Sequence, residues 1–148
     1  MATAIDETTR LELRRIYPAS VEAVYAAWAD PEQMSRWMAP SDAFGPTQAT
    51  LDVRVGGRYR IVMRDPEGNL HTVSGVYREV VPNRKLVYTW AWESTPERES
   101  VVSVELRRVD QGTELLLTHD RFADTEARDK HAQGWIGCLD RLGRFVSQ

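Results

Sequence analysis

Hydrophobic and polar residues change their period along this chain, and each change marks a change of element. Between Thr8 and Tyr17, Leu11 and Leu13 alternate with Glu12 and Arg14, the period-two pattern of a half-buried strand, and Pro18 closes it. Ser20 then offers an N-cap, with Val21, Val24, Tyr25 and Trp28 on one face of a short helix. Asp30-Pro31-Glu32 repeats the start signal and predicts a second short helix that carries Met34, Trp37 and Met38 and stops before Pro40.

Beyond a loop from Ser41 to Thr47 the texture becomes short β-branched and aromatic runs separated by turn residues. Strands are predicted over Thr50 to Val55, Arg58 to Arg64, His71 to Val81, Lys85 to Glu93, Val101 to Val109 and Thr113 to Arg121. Gly56-Gly57, Asp65-Pro66-Glu67-Gly68-Asn69, Pro82-Asn83 and Asp110-Gln111-Gly112 mark the turns, so the run reads as an antiparallel meander. From Asp124 to Val146 the period lengthens again. His131, Trp135, Cys138, Leu142 and either Phe145 or Val146 share one stripe of a long helix. A sheet followed by one helix long enough to cross it predicts an α+β grip, the helix lying over the concave face.

Composition narrows the function classes. With 148 residues, 42% of them hydrophobic, the chain is expected to form a single domain, 1–148, with its own core. The formal net charge of -3 gives no general pull toward nucleic acid or an anionic membrane. No transmembrane run is present, and Met1 to Glu7 meets charge before any apolar leader segment could form, so a cytoplasmic location is expected. The single cysteine, Cys138, excludes an internal disulfide.

Leu13-Arg14-Arg15-Ile16-Tyr17-Pro18-Ala19-Ser20-Val21-Glu22-Ala23-Val24-Tyr25 with Trp28, Asp30-Pro31-Glu32 and Trp37-Met38-Ala39-Pro40 resembles the opening of the AHSA1-like branch of the START/Bet v 1-like (SRPBCC) superfamily. The similarity continues, in the family's order, at Gly56-Gly57-Arg58-Tyr59, at Pro82 to Trp90, at Gly112-Thr113-Glu114-Leu115 with His119, and at Gly134-Trp135 with Leu139 to Leu142. The resemblance implies a helix-grip fold: a curved antiparallel sheet, two short helices and a long C-terminal helix enclosing a cavity used, across the superfamily, for apolar small molecules. The branch is named for activators of the Hsp90 ATPase. Those carry a separate N-terminal domain for which 148 residues leave no room, so an Hsp90-type partner is not expected.

Candidate chemistry is sparse. His71, His119 and His131 lack metal-type spacing, Cys138 completes no cluster, and neither a metal nor a cofactor is expected. His119 shares strand parity with Leu115 and Leu117, and His131 sits one turn before Trp135, so both border the expected cavity. They are the candidates for acid–base catalysis, against a purely structural role. Glu79, in register with Gly75 and Tyr77, and Glu105 are expected to pair with neighbouring arginines. Arg58, Arg60 and Arg64 alternate with Tyr59, Ile61 and Met63 and read as a solvated outer face rather than a nucleic-acid surface.

The aromatic residues carry more information. Trp28, Trp37, Tyr59, Met63, Tyr88, Trp90, His119, His131, Trp135 and Cys138 are the expected cavity lining. Gly134 and Gly137, mid-helix beside Trp135, leave either space or room for a close approach. The expected function is binding of an apolar or amphipathic small molecule beneath the last helix. A cyclase or hydrolase using a cavity histidine and a chaperone-linked accessory are the alternatives. A homodimer covering the outer face is left open, because the Lys85 to Glu93 strand carries apolar residues on both sides.

Overall fold

A computed structural model describes residues 9–147, with elements β1 (Leu11–Tyr17), α1 (Val21–Ala29), α2 (Pro31–Trp37), β2 (Gln48–Leu51), β3 (Arg58–Arg64), β4 (Leu70–Val81), β5 (Lys85–Trp92), β6 (Ser100–Val109), β7 (Gly112–Asp120) and α3 (Thr125–Val146). The predicted start of the first strand at Thr8, and the reading of Met1 to Glu7, lie outside the described residues. The strands form a single antiparallel sheet in the order β1-β7-β6-β5-β4-β3-β2. β1 and β2 are opposite edges, so α1 and α2, which join them, span the width of the sheet.

The helices start where local chemistry dictates. The Ser20 hydroxyl accepts the Ala23 N–H, the Asp30 carboxylate accepts the Glu32 N–H with Pro31 at the first helical position, and the Asp124 carboxylate accepts the Ala127 N–H. Alternation decides what each strand buries. Thr113, Leu115, Leu117 and His119 on β7 face inward with Val102, Val104 and Leu106 on β6 and Leu86, Tyr88 and Trp90 on β5. Trp28, Trp37, Leu139 and Leu142 from the helices close the core over them.

Three expectations are corrected. The second strand is Gln48–Leu51 rather than Thr50 to Val55, because the Arg54 N–H turns back to the Asp52 carbonyl and the Gly57 N–H to the Arg54 carbonyl. Glu79 does not share a face with Tyr77. A bulge between Tyr77 and Glu79 inserts one residue against β5, turning Glu79 outward, where its partner is Lys85 rather than an arginine. Glu105 meets the same Lys85 ammonium from β6. On β5 the even-numbered residues line the interior. Thr89, on the other face, is buried because its hydroxyl takes the Val76 N–H at 2.8 Å and its carbonyl takes the Tyr59 hydroxyl.

α3 is held to the rest at its C-terminal half. The Tyr17 hydroxyl donates to the Leu139 carbonyl at 2.8 Å, and the Tyr17 ring lies where a side chain on Gly143 would stand. Arg141 reaches from α3 to the open C-terminal end of α2. It donates to the carbonyls of Arg36 and Trp37, each at 3.1 Å, and also pairs with Asp42, which Arg144 holds from the other side. Carbonyls at a helix end have no intrahelical donor, so a cation there supplies both hydrogen bonds and charge of the right sign. These bonds also position the loop from residue 38 to 47. Arg141→Met is therefore expected to lower the free energy of unfolding by about 1.5–3 kcal/mol, read from urea denaturation. A loss below about 0.5 kcal/mol would show that the loop is held by packing alone.

Candidate functional site

Because α3 is clamped at its C-terminal half, its N-terminal half must be supported by side chains, and aromatic rings supply that support. Trp135 projects from α3 onto the sheet, its ring 5.1 Å from Trp90 on β5 and 6.1 Å from Trp28 on α1. Trp28 in turn meets Trp37 at 4.7 Å, and Trp90 meets Trp92 at 5.6 Å, so all five tryptophans form one continuous cluster. Such contacts contribute roughly 0.5–1.5 kcal/mol per pair beyond the area they bury.

The polar edges of these rings set the state of both inner histidines. An indole N–H can only donate, so the Trp135 Nε1–H bond of 3.0 Å to His119 makes Nδ1 the bare nitrogen and leaves the proton on Nε2. His119 Nε2 then donates to the Ser100 hydroxyl at 2.7 Å, which donates onward to the Trp90 carbonyl at 3.2 Å. His131 has the opposite tautomer. Its Nδ1 donates to the Ala127 carbonyl at 2.7 Å, and its Nε2 accepts the Trp92 indole N–H at 2.9 Å. All four ring nitrogens are thus engaged with protein groups, which leaves none free to take a substrate proton. Burial holds His119 well below the usual histidine range, with neighbouring His131 adding to it, and burial also lowers His131 despite the bond to Ala127.

Next to this cluster α3 stands off the sheet and leaves a half-open cleft of about 300 Å³. Met63, Trp90, His131, Trp135 and Cys138 from the sequence-derived lining are in its wall. Trp28, Trp37, Tyr59, Tyr88 and His119 are not; they are buried in the core behind it. The wall also contains residues absent from that expected lining, Met38, Pro40, Phe44, His71, Trp92 and Lys130, together with Gly134, for which the sequence left space or a close approach open. Trp92 shares strand parity with Trp90 and Lys130 adjoins His131, so both had a signal. Pro40 and Phe44 come from a loop with no period to read. The wall is almost wholly apolar, with His71 and Lys130 among its few polar groups. His71 Nε2 bonds Asp65 at 2.8 Å, and this bond is the main reason the Asp65 carboxyl is held down to about 2.

The two mid-helix glycines separate physically. A Cβ on Gly137 would lie 1.8 Å from the Pro40 carbonyl oxygen, so this glycine exists for a close approach of helix and loop. A Cβ on Gly134 would have only the Pro40 side chain nearby, at 4.0 Å, and Gly134 opens onto the cleft. Cys138 is buried, and burial pushes its thiol up to about 12, so no thiolate is available at neutral pH. Among the described residues no group of three or more His, Cys, Asp or Glu could hold a metal, and no helix is long and apolar enough to cross a membrane.

The family described as Activator of Hsp90 ATPase homolog 1-like protein matches residues 18–147. The human Activator of 90 kDa heat shock protein ATPase homolog 1 is 26% identical over 129 residues, covering 86% of this chain and 34% of that protein. The mouse homolog 2 is 29% identical over 102 residues, covering 69% and 26% respectively. The chain thus spans about a third or less of the curated relatives it matches. The crystal structure of a Chromobacterium violaceum protein has 25% identity and a TM-score of 0.83, covering 95% of this chain and 99% of that one. The solution structure of an AHSA1-like protein from Aeromonas hydrophila has 27% identity and a TM-score of 0.76, covering 93% and 91%.

Two outcomes are expected. Gly134→Ala should stabilise the protein by about 0.5–1 kcal/mol through helix propensity, whereas Gly137→Ala should destabilise it by about 1–3 kcal/mol, both by urea denaturation. Equal effects at the two positions would contradict the close approach at Gly137. Separately, both inner histidines bind protons less readily folded than unfolded, so their contribution is complete above about pH 6.5 and is lost as the pH falls below it. Unfolding free energy should drop by up to about 1.4 kcal/mol per pH unit for each histidine, before the carboxylates titrate. A stability that stays flat between about pH 7.5 and about pH 5.5 would refute the neutral assignment.

Proposed function

This chain belongs to the AHSA1-like family of helix-grip proteins, and from that premise we propose that it acts as a single domain that binds an apolar small molecule in the cleft beneath α3. The observation that carries the reading is the cleft of about 300 Å³, walled by Trp90, Trp92, Trp135, Met63 and Phe44 and left unfilled by Gly134. That volume lies at the lower end of the usual range for small-molecule sites, and a nearly all-apolar wall with few polar groups is the ordinary composition of one. Transfer of an apolar molecule from water into the cleft would be driven at roughly 25 cal/mol for each Å² removed from solvent. The engaged histidine nitrogens favour holding a ligand over transforming it.

A second reading rests on the similarity to the human and mouse activators of the 90 kDa heat shock protein ATPase, in which this chain is an accessory of such a chaperone. Stimulation of a purified Hsp90-type ATPase by the chain would favour it.

The cleft reading is tested with Nile red, a neutral dye that brightens in apolar surroundings. Saturable binding to the wild-type chain, weakened at least about tenfold in a Gly134→Phe variant of unchanged stability, is the expected result. Absence of saturable binding, or equal binding by the two proteins, would overturn the reading.

A further inference from the structure

A second cleft of about 340 Å³ lies on the far side of His131. It shares Trp90, Trp92, Lys130 and His131 with the first, so the His131–Trp92 pair is a partition between two adjoining spaces. The two differ in character. Where the first is almost wholly apolar, the second is lined in near-equal measure by polar and apolar surface and includes four charged side chains. Three are engaged: Asp124 accepts the Ala127 N–H at the start of α3, and Glu126 and Lys130 pair with each other at 3.2 Å. The fourth, Arg98, has no hydrogen-bond or ion-pair partner for its guanidinium among the described residues. The indole N–H groups of Trp28 and Trp90 also lack an acceptor, but both are buried out of reach of either cleft, so Arg98 is the donor that a ligand can meet.

Resting on the apolar-ligand reading, we propose that the two clefts are one site and that its occupant is an aromatic carboxylic acid. The apolar body lies among Trp135, Met63 and Cys138, and the carboxylate reaches past the His131–Trp92 partition to meet Arg98. A guanidinium is suited to a carboxylate by its forked donors, and flat rings suit walls built of tryptophan. A neutral molecule of the same shape would leave Arg98 unpaired, so the site discriminates by charge as well as by shape.

The test compares 1-naphthylacetic acid with the near-isosteric 1-naphthylacetamide at pH 7.5, by calorimetry. The acid should bind about tenfold more tightly than the amide. Arg98→Gln should weaken the acid about tenfold and leave the amide and Nile red unchanged. Equal binding of acid and amide, or an acid preference that survives Arg98→Gln, would overturn the two-cleft proposal while Nile red binding kept the apolar cleft standing. If neither naphthyl compound nor Nile red binds, both readings fall. Arg98 is exposed, so loss of folding does not confound the variant.

Discussion

The indole N–H of Trp135 is buried beneath the last helix, and its acceptor is the bare Nδ1 of His119 on the sheet. Much of the interior follows from that bond. It fixes the His119 tautomer, which directs the Nε2 proton to Ser100, which in turn fixes the hydroxyl on the Trp90 carbonyl. It also sets how closely α3 lies over the sheet, since Trp135 spans the gap between them. In a dry interior, losing the His119 acceptor would cost about 1–3 kcal/mol.

The cleft is a consequence of where α3 is clamped and where it is propped. Tyr17, Arg141 and Gly137 draw its middle and C-terminal half close to β1, α2 and the loop after α2. Toward its N-terminus the helix rests on the large rings of Trp135 and His131, and beside them Gly134 contributes no volume. A helix held near at one end and propped at the other leaves a wedge of space. Because its walls are tryptophan, methionine and phenylalanine, that wedge favours apolar occupants.

Most elements were legible in the chain because their signals are local. Caps at Ser20, Asp30 and Asp124, prolines at 18, 31 and 40, and alternation along β3 and β7 each depend on a few neighbouring residues. The exceptions have local causes that alternation cannot express. A one-residue bulge sent Glu79 outward, and a turn begun at Asp52 shortened β2. In the site, inward parity and the α3 stripe brought Met63, Trp90, His131, Trp135 and Cys138 into the cleft wall, while the same inward parity left Tyr59, Tyr88 and His119 in the core.

What the amino-acid order determined by itself, then, was the succession of strands and helices, the inward face of most of them, and a surplus of aromatic residues on those faces. Which aromatics fill space and which border it was decided only by tertiary structure. The reason is that free volume belongs to no residue. It arises where α3, the sheet and the loop carrying Pro40 and Phe44 fail to meet, and the distances among them are set by contacts between residues far apart in the chain, such as Tyr17 with Leu139 and Arg141 with Trp37. The same holds for the histidines, whose protons are assigned by tryptophans from other elements rather than by anything adjacent in sequence.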